Sequence, residues 1–403
     1  MAPIRRLPYG PLARAEAQMP LTTEEIALDH GFPGTRRSVT VHRFGPAAAS
    51  ADRPKAYIQA ALHADEIPGL LVAQHILARL RAADAEGRVR GDIILVPYAN
   101  PIGLSQAVLG TAIGRFALSN GVNFNRDFPD LAAPVADRVM DRLGQDAGTN
   151  VALVRQAARE AIAAWETATE ADSLRKILLG LAIDADVVLD LHCDSEALLH
   201  AYTGTESWPD ASDLVAELGC RAVFLALESG GNPFDESCSG LWWRLRNRLT
   251  TGRPGGAPPL PAACLAATIE LRGRRDVDDA QAAADADALI RFLTRRGLLA
   301  GEVAAPPAPA CQATPLAGVD RVRAPVAGVV LYTVALGDTV AVGQTVAEVV
   351  DPVTGIRHPA RARTPGIVWA RAEQRYTAAG AIITSIAGDR PLAEEGSGLL
   401  TAR

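Results

Sequence analysis

His63 and Glu66 stand three residues apart directly behind the apolar run 57–62, so an imidazole and a carboxylate can converge on one point. That spacing at a strand's end supplies the first two ligands of a zinc site. A second apolar run, 187–191, closes on His192. Two imidazoles and one carboxylate form the set that binds catalytic zinc while leaving a fourth position for water. Glu270 lies inside a third apolar run, 265–271, where an ionisable side chain is expensive unless paired or used. It is the candidate base that removes a proton from a zinc-acidified water. Between the first two runs lie Arg115, Asn123, Asn125 and Arg126. Arg115 is the candidate for polarising a scissile carbonyl and stabilising the oxyanion that forms on it. Asn125 and Arg126 are candidates for holding a substrate carboxylate, since a guanidinium grips that group with two parallel hydrogen bonds.

The elements that must carry these groups can be read from apolar periodicity. The run 57–62 reads as a strand, and Pro68, tolerated in a helix's first turn, opens a helix over 68–82 with Leu70, Ala73, Leu77 and Leu80 on one face. A further buried strand is expected over 92–97, giving a βαβ unit with a parallel pair. Residues 38–44 alternate as a strand in which His42 is expected to be half-exposed. The stretch 131–181 turns helical, with Val151, Val154, Ala158, Ile162 and Trp165 on one face. More strands are expected over 222–227 and 265–271, and a helix over 278–295; residues 45–54 and 252–261 read as surface turns.

Residues 301–317 are rich in proline and alanine and read as a linker. They separate a domain of residues 1–300 from a small all-β domain of 318–390 and a tail of 391–403. In the second domain, the segment from Pro325 to Val330 is echoed from Pro365 to Val368, and Gly343 to Val346 is echoed from Gly380 to Ile383. The repeat of roughly forty residues implies quasi-twofold symmetry.

The chain has 403 residues, 48% hydrophobic and 21% charged, with a net charge of −6. Its 40 basic residues include only two lysines, Lys55 and Lys176, and form no patch interleaved with aromatics, so a nucleic-acid partner has no support. No run approaches membrane-spanning length, and the first twenty residues lack the apolar stretch of a signal peptide. Five widely spaced cysteines without a C-x-x-C pair point to a reduced, cytoplasmic protein.

The series H-x-x-E at 63–66, N-P at 100–101, N-x-N-R-x-F-P at 123–129, D-L-H at 190–192 and T-x-E-L at 268–271 resembles, in this order, the succinylglutamate desuccinylase/aspartoacylase family, a branch of the zinc carboxypeptidase superfamily. The resemblance spans roughly residues 35–300. It implies an α/β fold, a three-layer α/β/α zinc-carboxypeptidase-like domain around a mixed sheet, with one zinc ion and hydrolysis of an amide bond on an N-acyl amino acid. By matching motif positions it makes His63, Glu66 and His192 the ligands, makes Glu270 the base and gives Asn125 and Arg126 to the substrate carboxylate. Arg115 matches with a small insertion, because the family places its arginine–aromatic pair nearer the Asn-Arg pair. The interval from Glu66 to His192 is longer than in short members, and its surplus near 131–181 is read as a lid or a homo-oligomer contact. The C-terminal unit resembles a biotinyl/lipoyl-type barrel sandwich but contains no lysine, which excludes cofactor attachment and leaves a structural or lid role. The same residues also fit a zinc carboxypeptidase acting on peptide C-termini. A non-catalytic binding protein is the third reading, and a lost ligand or base would be its signature.

Overall fold

The computed structural model describes residues 21–45, 53–250 and 258–392. The first twenty residues, most of the turn at 45–54, the start of the loop at 252–261 and nearly all of the 391–403 tail lie outside the described residues. The main body carries β1 (Thr22–Ala27), β2 (Ser38–Phe44), β3 (Lys55–Ala60), β4 (Asp92–Val96), a short hairpin of β5 (Ala107–Val108) and β6 (Thr111–Ala112), β7 (Val187–Asp194), β8 (Glu196–Ala197), β9 (His200–Gly204), β10 (Ala222–Ala226), β11 (Leu265–Gly273) and β12 (Ala313–Pro315). Nine of these form one mixed sheet in the order β1-β2-β4-β3-β7-β11-β9-β10-β12. Its centre, β4-β3-β7-β11, is parallel, and β9 runs antiparallel to β11.

Helices cover both faces. They are α1 (Pro68–Ala85), a single turn α2 (Pro101–Leu104), α3 (Ala132–Val139), α4 (Ala147–Ala163), α5 (Glu170–Ala182), α6 (Trp208–Leu218), α7 (Phe234–Thr250) and α8 (Asp279–Arg295). Strand alternation divides the core in two. Ile58, Leu189, Leu191 and Ile269 face the side packed by α1, α6 and α8, whereas Tyr57, Val188 and Ala266 face the side packed by α3, α4, α5 and α7. A Cβ at Gly69 would lie 3.0 Å from the Leu191 carbonyl oxygen, so α1 seats closely on β7.

The stretch expected to be helical over 131–181 is three helices. Asp146 caps α4 and a Thr169–Asp172 capping box starts α5. Leu174, Leu178, Val154 and Ala158 are fully buried against the sheet, so this surplus is the cover of one sheet face rather than a lid. His42, expected to be half-exposed, is buried, and its Nδ1 lies 2.9 Å from the Thr23 hydroxyl. The reason is β1, whose charged TTEEIA sequence did not read as a strand but pairs with residues 38–43 of β2.

The C-terminal unit holds β13 (Val319–Arg323), β14 (Gly328–Tyr332), β15 (Thr339–Val340), β16 (Thr345–Val350), β17 (Arg357–Arg361), β18 (Gly366–Arg371), β19 (Tyr376–Thr377) and β20 (Ile382–Ala387). Its two sheets run β13-β20-β18-β15 and β17-β16-β14-β19. Exchanging the first four strands with the last four converts one order into the other, which is the symmetry the repeat implies. The matched glycines have one job: a Cβ at Gly328 would lie 2.2 Å from the Val350 carbonyl oxygen, and one at Gly366 2.0 Å from that of Ala387.

The segment read as a linker is partly built into the main body. Ala313–Pro315 is the edge strand β12, parallel to β10, and Leu316 is buried with Phe224, Val319 and Trp369. Strand β8 pairs with β18, and Glu196 pairs with Arg371 at 3.3 Å and with Arg375 at 2.6 Å. At this seam the Trp369 ring stands 4.4 Å from that of His200, which is fully buried.

Burial pulls the His200 imidazole below the ordinary histidine range, against smaller opposing effects of Asp194 and the Leu198 carbonyl. A histidine held neutral in the fold contributes stability above its unfolded pKa of about 6.5 and loses it as pH falls through that value. The expected result is an acid limb starting near pH 6.5 with a slope of up to about 1.4 kcal/mol per pH unit from this residue. The limb should be shallower by that contribution in His200→Gln when unfolding free energies are measured by denaturant titration from pH 5 to 8, the buried His63 supplying what remains. An unchanged slope in the variant would remove His200 from the account.

Among the described residues no helix is long and apolar enough to cross a membrane, and all five cysteines are free thiols.

Candidate metal and active site

The site forms where β3, β7 and β11 end. Beyond β3, Ala61 takes the left-handed conformation at φ 58° and turns the chain so that His63 and Glu66 face the end of β7. On β7, alternation puts Asp190 and His192 on one face, and the parallel register sets Glu270 of β11 beside His192. Open α/β sheets bind ligands outside the carboxyl ends of their strands, as here.

His63, Glu66 and His192 are 3%, 1% and 2% exposed, and one donor atom from each lies within 4.8 Å of the others. His63 Nδ1 is 3.0 Å from Glu66 Oε1, and His192 Nδ1 is 2.8 Å from Glu66 Oε2. The far side of each ring is held as well. His63 Nε2 meets Asn123 Oδ1 at 2.8 Å, and His192 Nε2 meets Asp190 Oδ2 at 2.9 Å. Each ring is thus held at Nε2 as well as at Nδ1, where it hydrogen-bonds Glu66, and the Asn125 amide nitrogen also comes within 3.4 Å of His192 Nε2; outer partners of this kind orient metal-ligating histidines. Asp190 is steadied in turn, its Oδ1 accepting from Gln59 Nε2 at 3.0 Å and Gln59 Oε1 accepting from Tyr57 at 2.8 Å.

The electrostatics favour a cation at this point. Burial would raise Glu66, but His63 and His192 hold it well below the usual carboxylate range. Burial would likewise lower His192, yet the Asp190 and Glu66 carboxylates carry it well above the histidine range. His63, buried and beside Arg115, is lowered to about 4. Two imidazoles with their outer nitrogens engaged and one ionised carboxylate fit a divalent transition metal.

The remaining sequence candidates come to the same cavity, which encloses about 150 Å³. Arg115 donates from Nη1 to Glu66 Oε1 at 3.0 Å. Glu270 lines the cavity, with Oε2 buried and not hydrogen-bonded among the described residues. Burial first, and then the Glu66 charge, push its carboxyl well above the usual range. Asn125 is partly committed to structure, because its Oδ1 accepts the Phe234 backbone N–H at 2.9 Å and so ties this loop to the start of α7. Arg126 lies across Gly231, where a Cβ would come 2.6 Å from Arg126 Cδ, and its Nη1 donates to the Asn125 carbonyl at 2.6 Å.

Strain gathers around these groups. Among the described residues, four of the six non-glycine residues with positive φ are Ala61, Asp127, Asn232 and Arg272, each within two residues of a site residue or in the loop packed on Arg126. Each costs about 1–2 kcal/mol. Hydrogen bonds hold them, Asp127 N–H donating to the Gly231 carbonyl at 2.7 Å and Asn232 Nδ2 to the Phe128 carbonyl at 2.6 Å.

Residues 52–154, which carry the His63–Glu66 turn, Arg115 and the Asn125–Arg126 pair, match the model of the succinylglutamate desuccinylase/aspartoacylase catalytic domain. A curated relative, the N-alpha-acetyl-L-2,4-diaminobutyric acid deacetylase of Halomonas elongata, is 27% identical over 323 residues, covering 79% of this chain and 77% of the relative. Over residues 52–154 the chain is similar to the catalytic domain of the succinylglutamate desuccinylase/aspartoacylase family. A protein of that family from Shewanella amazonensis superposes with a TM-score of 0.77 at 25% identity, over 91% of this chain and 98% of the other. Another from Shewanella frigidimarina gives a TM-score of 0.79 at 22% identity, over 94% of this chain and all of the other. Both likenesses extend through the C-terminal unit.

Sequence reasoning passed over several groups at the site. Asp190 had a usable signal, since it stands two residues before His192 and a strand's period of two puts it on the same face; Asn123 was named in the loop, but its contact with the far side of His63 was not foreseen. Tyr202, Ser229, Asp235 and Glu236 also line the cavity. They reach it through β9, a turn and the start of α7, and nothing local in their sequence foretells that placement.

Proposed function

We propose that the protein is a zinc-dependent deacylase that hydrolyses the amide bond of an N-acyl amino acid. The observation that carries this reading is the buried His63–Glu66–His192 cluster with Glu270 in register beside it, opening on a cavity that also holds Arg115 and Arg126. The likeness to that family and the activity of the Halomonas relative support it.

Zinc held by His63, Glu66 and His192 would supply Lewis acidity, acidifying a water molecule and polarising the carbonyl it attacks. Glu270 takes the proton from that water and returns it to the amine nitrogen as the C–N bond breaks, so one carboxylate serves as base and then as acid. Its raised affinity for a proton suits both halves of that task. Arg115 stabilises the negative charge that develops on the carbonyl oxygen. Arg126, with the Asn125 amide nitrogen, holds the substrate's α-carboxylate and sets the amide over the cluster. The products are a carboxylic acid and a free amino acid.

The test is amine release from a panel of N-acetyl and N-succinyl amino acids and short peptides, with products identified by mass. Chelator treatment is expected to abolish release from the acyl amino acids, and stoichiometric zinc to restore it. Cleavage of peptides alone would move the activity to C-terminal peptide hydrolysis. No cleavage of either class by zinc-loaded protein would overturn the proposal.

A further inference from the structure

Helix α5 buries an arginine among leucines. Arg175 is 4% exposed beside Leu174 and Leu178, which are fully buried. A guanidinium out of water is costly unless its donors are met, and those of Arg175 are met only in part. Nη1 reaches Asp172 Oδ1 at 3.2 Å, but the Asp172 side chain is 28% exposed and its other oxygen serves the capping box that starts α5. Nε is buried with no hydrogen-bond partner among the described residues. Packing alone would favour an apolar side chain of the same length at this position. The direction of the remaining donor gives a reason for the arginine.

Nη2 donates to the Asn123 carbonyl at 3.0 Å. The same carbonyl accepts the Arg126 N–H at 3.3 Å, and Asn123 Oδ1 accepts the Asn125 N–H at 2.9 Å, so Asn123 closes the turn that carries Asn125 and Arg126. From that turn Asn123 Oδ1 also meets the far nitrogen of His63 at 2.8 Å. Residues 123–127 lie outside every helix and strand, so no ladder of backbone bonds fixes them. A donor on a packed helix does. Asp127, which ends the turn in the left-handed conformation at φ 60°, also acts on the Arg175 charge, opposing with Asp172 the effect of burial. One guanidinium therefore bears on both ends of the turn.

We infer that Arg175 is a positioning residue of the metal site, holding the His63 ring through Asn123 at the angle at which it meets Glu66 and His192. The helical segment that covers this face of the sheet is thereby part of the support of the site. The inference rests on the reading of His63, Glu66 and His192 as metal ligands and on no substrate.

The test is zinc affinity of the full chain, measured by competition with a chelator of known affinity and read by elemental analysis. Arg175→Met is expected to bind zinc about tenfold more weakly than wild type, the lower end of the cost of losing an outer partner. Leu178→Ala, which opens a cavity under the same helix, is expected to lower the melting temperature and leave zinc affinity as it was. Asn123→Ala is expected to weaken zinc binding as well, and adding Arg175→Met to it should change the affinity by less than about twofold, because both act through one contact. Arg175→Lys keeps the charge but cannot span Asp172 and Asn123 with one fork. It decides the matter if the methionine variant does not fold: affinity below wild type supports the relay, and affinity equal to wild type overturns it. Wild-type affinity in Arg175→Met, an equal loss in Leu178→Ala, or independent losses in the double variant would each overturn the relay and leave the metal site standing. A wild-type chain that binds no zinc would remove the metal site itself, and the relay with it.

Discussion

Glu270→Gln is expected to keep its metal and lose about two to four orders of magnitude in kcat, the range for removing a general acid–base group. The substitution is nearly isosteric and places no ligand at risk, since Glu270 is not among the three clustered donors. What it removes is the capacity to hold a proton between water and the departing amine. Fold stability should be unchanged or slightly higher. Burial and the Glu66 charge already disfavour an ionised carboxyl at this position, and a neutral amide relieves that conflict. The pairing of lost turnover with an equal or raised melting temperature is the signature of a group kept for chemistry. Steady-state kinetics, metal analysis and a thermal scan on one preparation check all three parts. Turnover within a few-fold of wild type would leave the proton without its proposed carrier.

The strand, turn and helix around His63 were legible because three local signals agree: an apolar run, a polar pair at its end and Pro68 where a helix tolerates proline. The D-L-H strand and the run containing Glu270 were legible for the same reason, being buried on both faces and therefore continuously apolar. The C-terminal symmetry showed itself through glycines, since Gly328 and Gly366 stand where a carbonyl oxygen leaves no room for a Cβ. The elements that were missed lack such signals. Strand β1 is an edge whose exposed face is charged, and its partner explains why His42 is buried. Strand β9 is a short mixed sequence, HAYTG, defined by its antiparallel register with β11. Strand β12 sits in a proline-rich segment, where composition argues for a linker and only the neighbouring β10 makes it a strand. The acid wall of the cavity belongs with these: α7 presents Asp235 and Glu236 because the loop at 229–233 is pinned to the Asn-Arg turn by backbone hydrogen bonds from Asp127 and Phe128.

Glu66→Gln is expected to reduce metal content from one ion per chain to a small fraction and to abolish turnover with it. Glu66 is the centre of the cluster, with His63, His192, Arg115 and the Cys193 N–H all directed at its two oxygens. An amide keeps one of those oxygens, loses the charge and turns an NH₂ toward groups that are themselves donors or cations. Asp190→Asn is the measured contrast. Asp190 meets the far nitrogen of His192 rather than the shared point, and an asparagine there keeps one oxygen, enough to accept from Gln59 while its contact with Nε2 is lost. Loss of such an outer partner costs about tenfold to a hundredfold in metal affinity, so Asp190→Asn should load at high zinc whereas Glu66→Gln should not. Competition with a chelator of known affinity, read by elemental analysis, ranks the two variants. The reverse ranking would place Asp190 in the ligand set and Glu66 outside it. That would also move the ligating atom of His192 from Nδ1 to Nε2, because the ring can face only one of its carboxylate neighbours as a metal ligand.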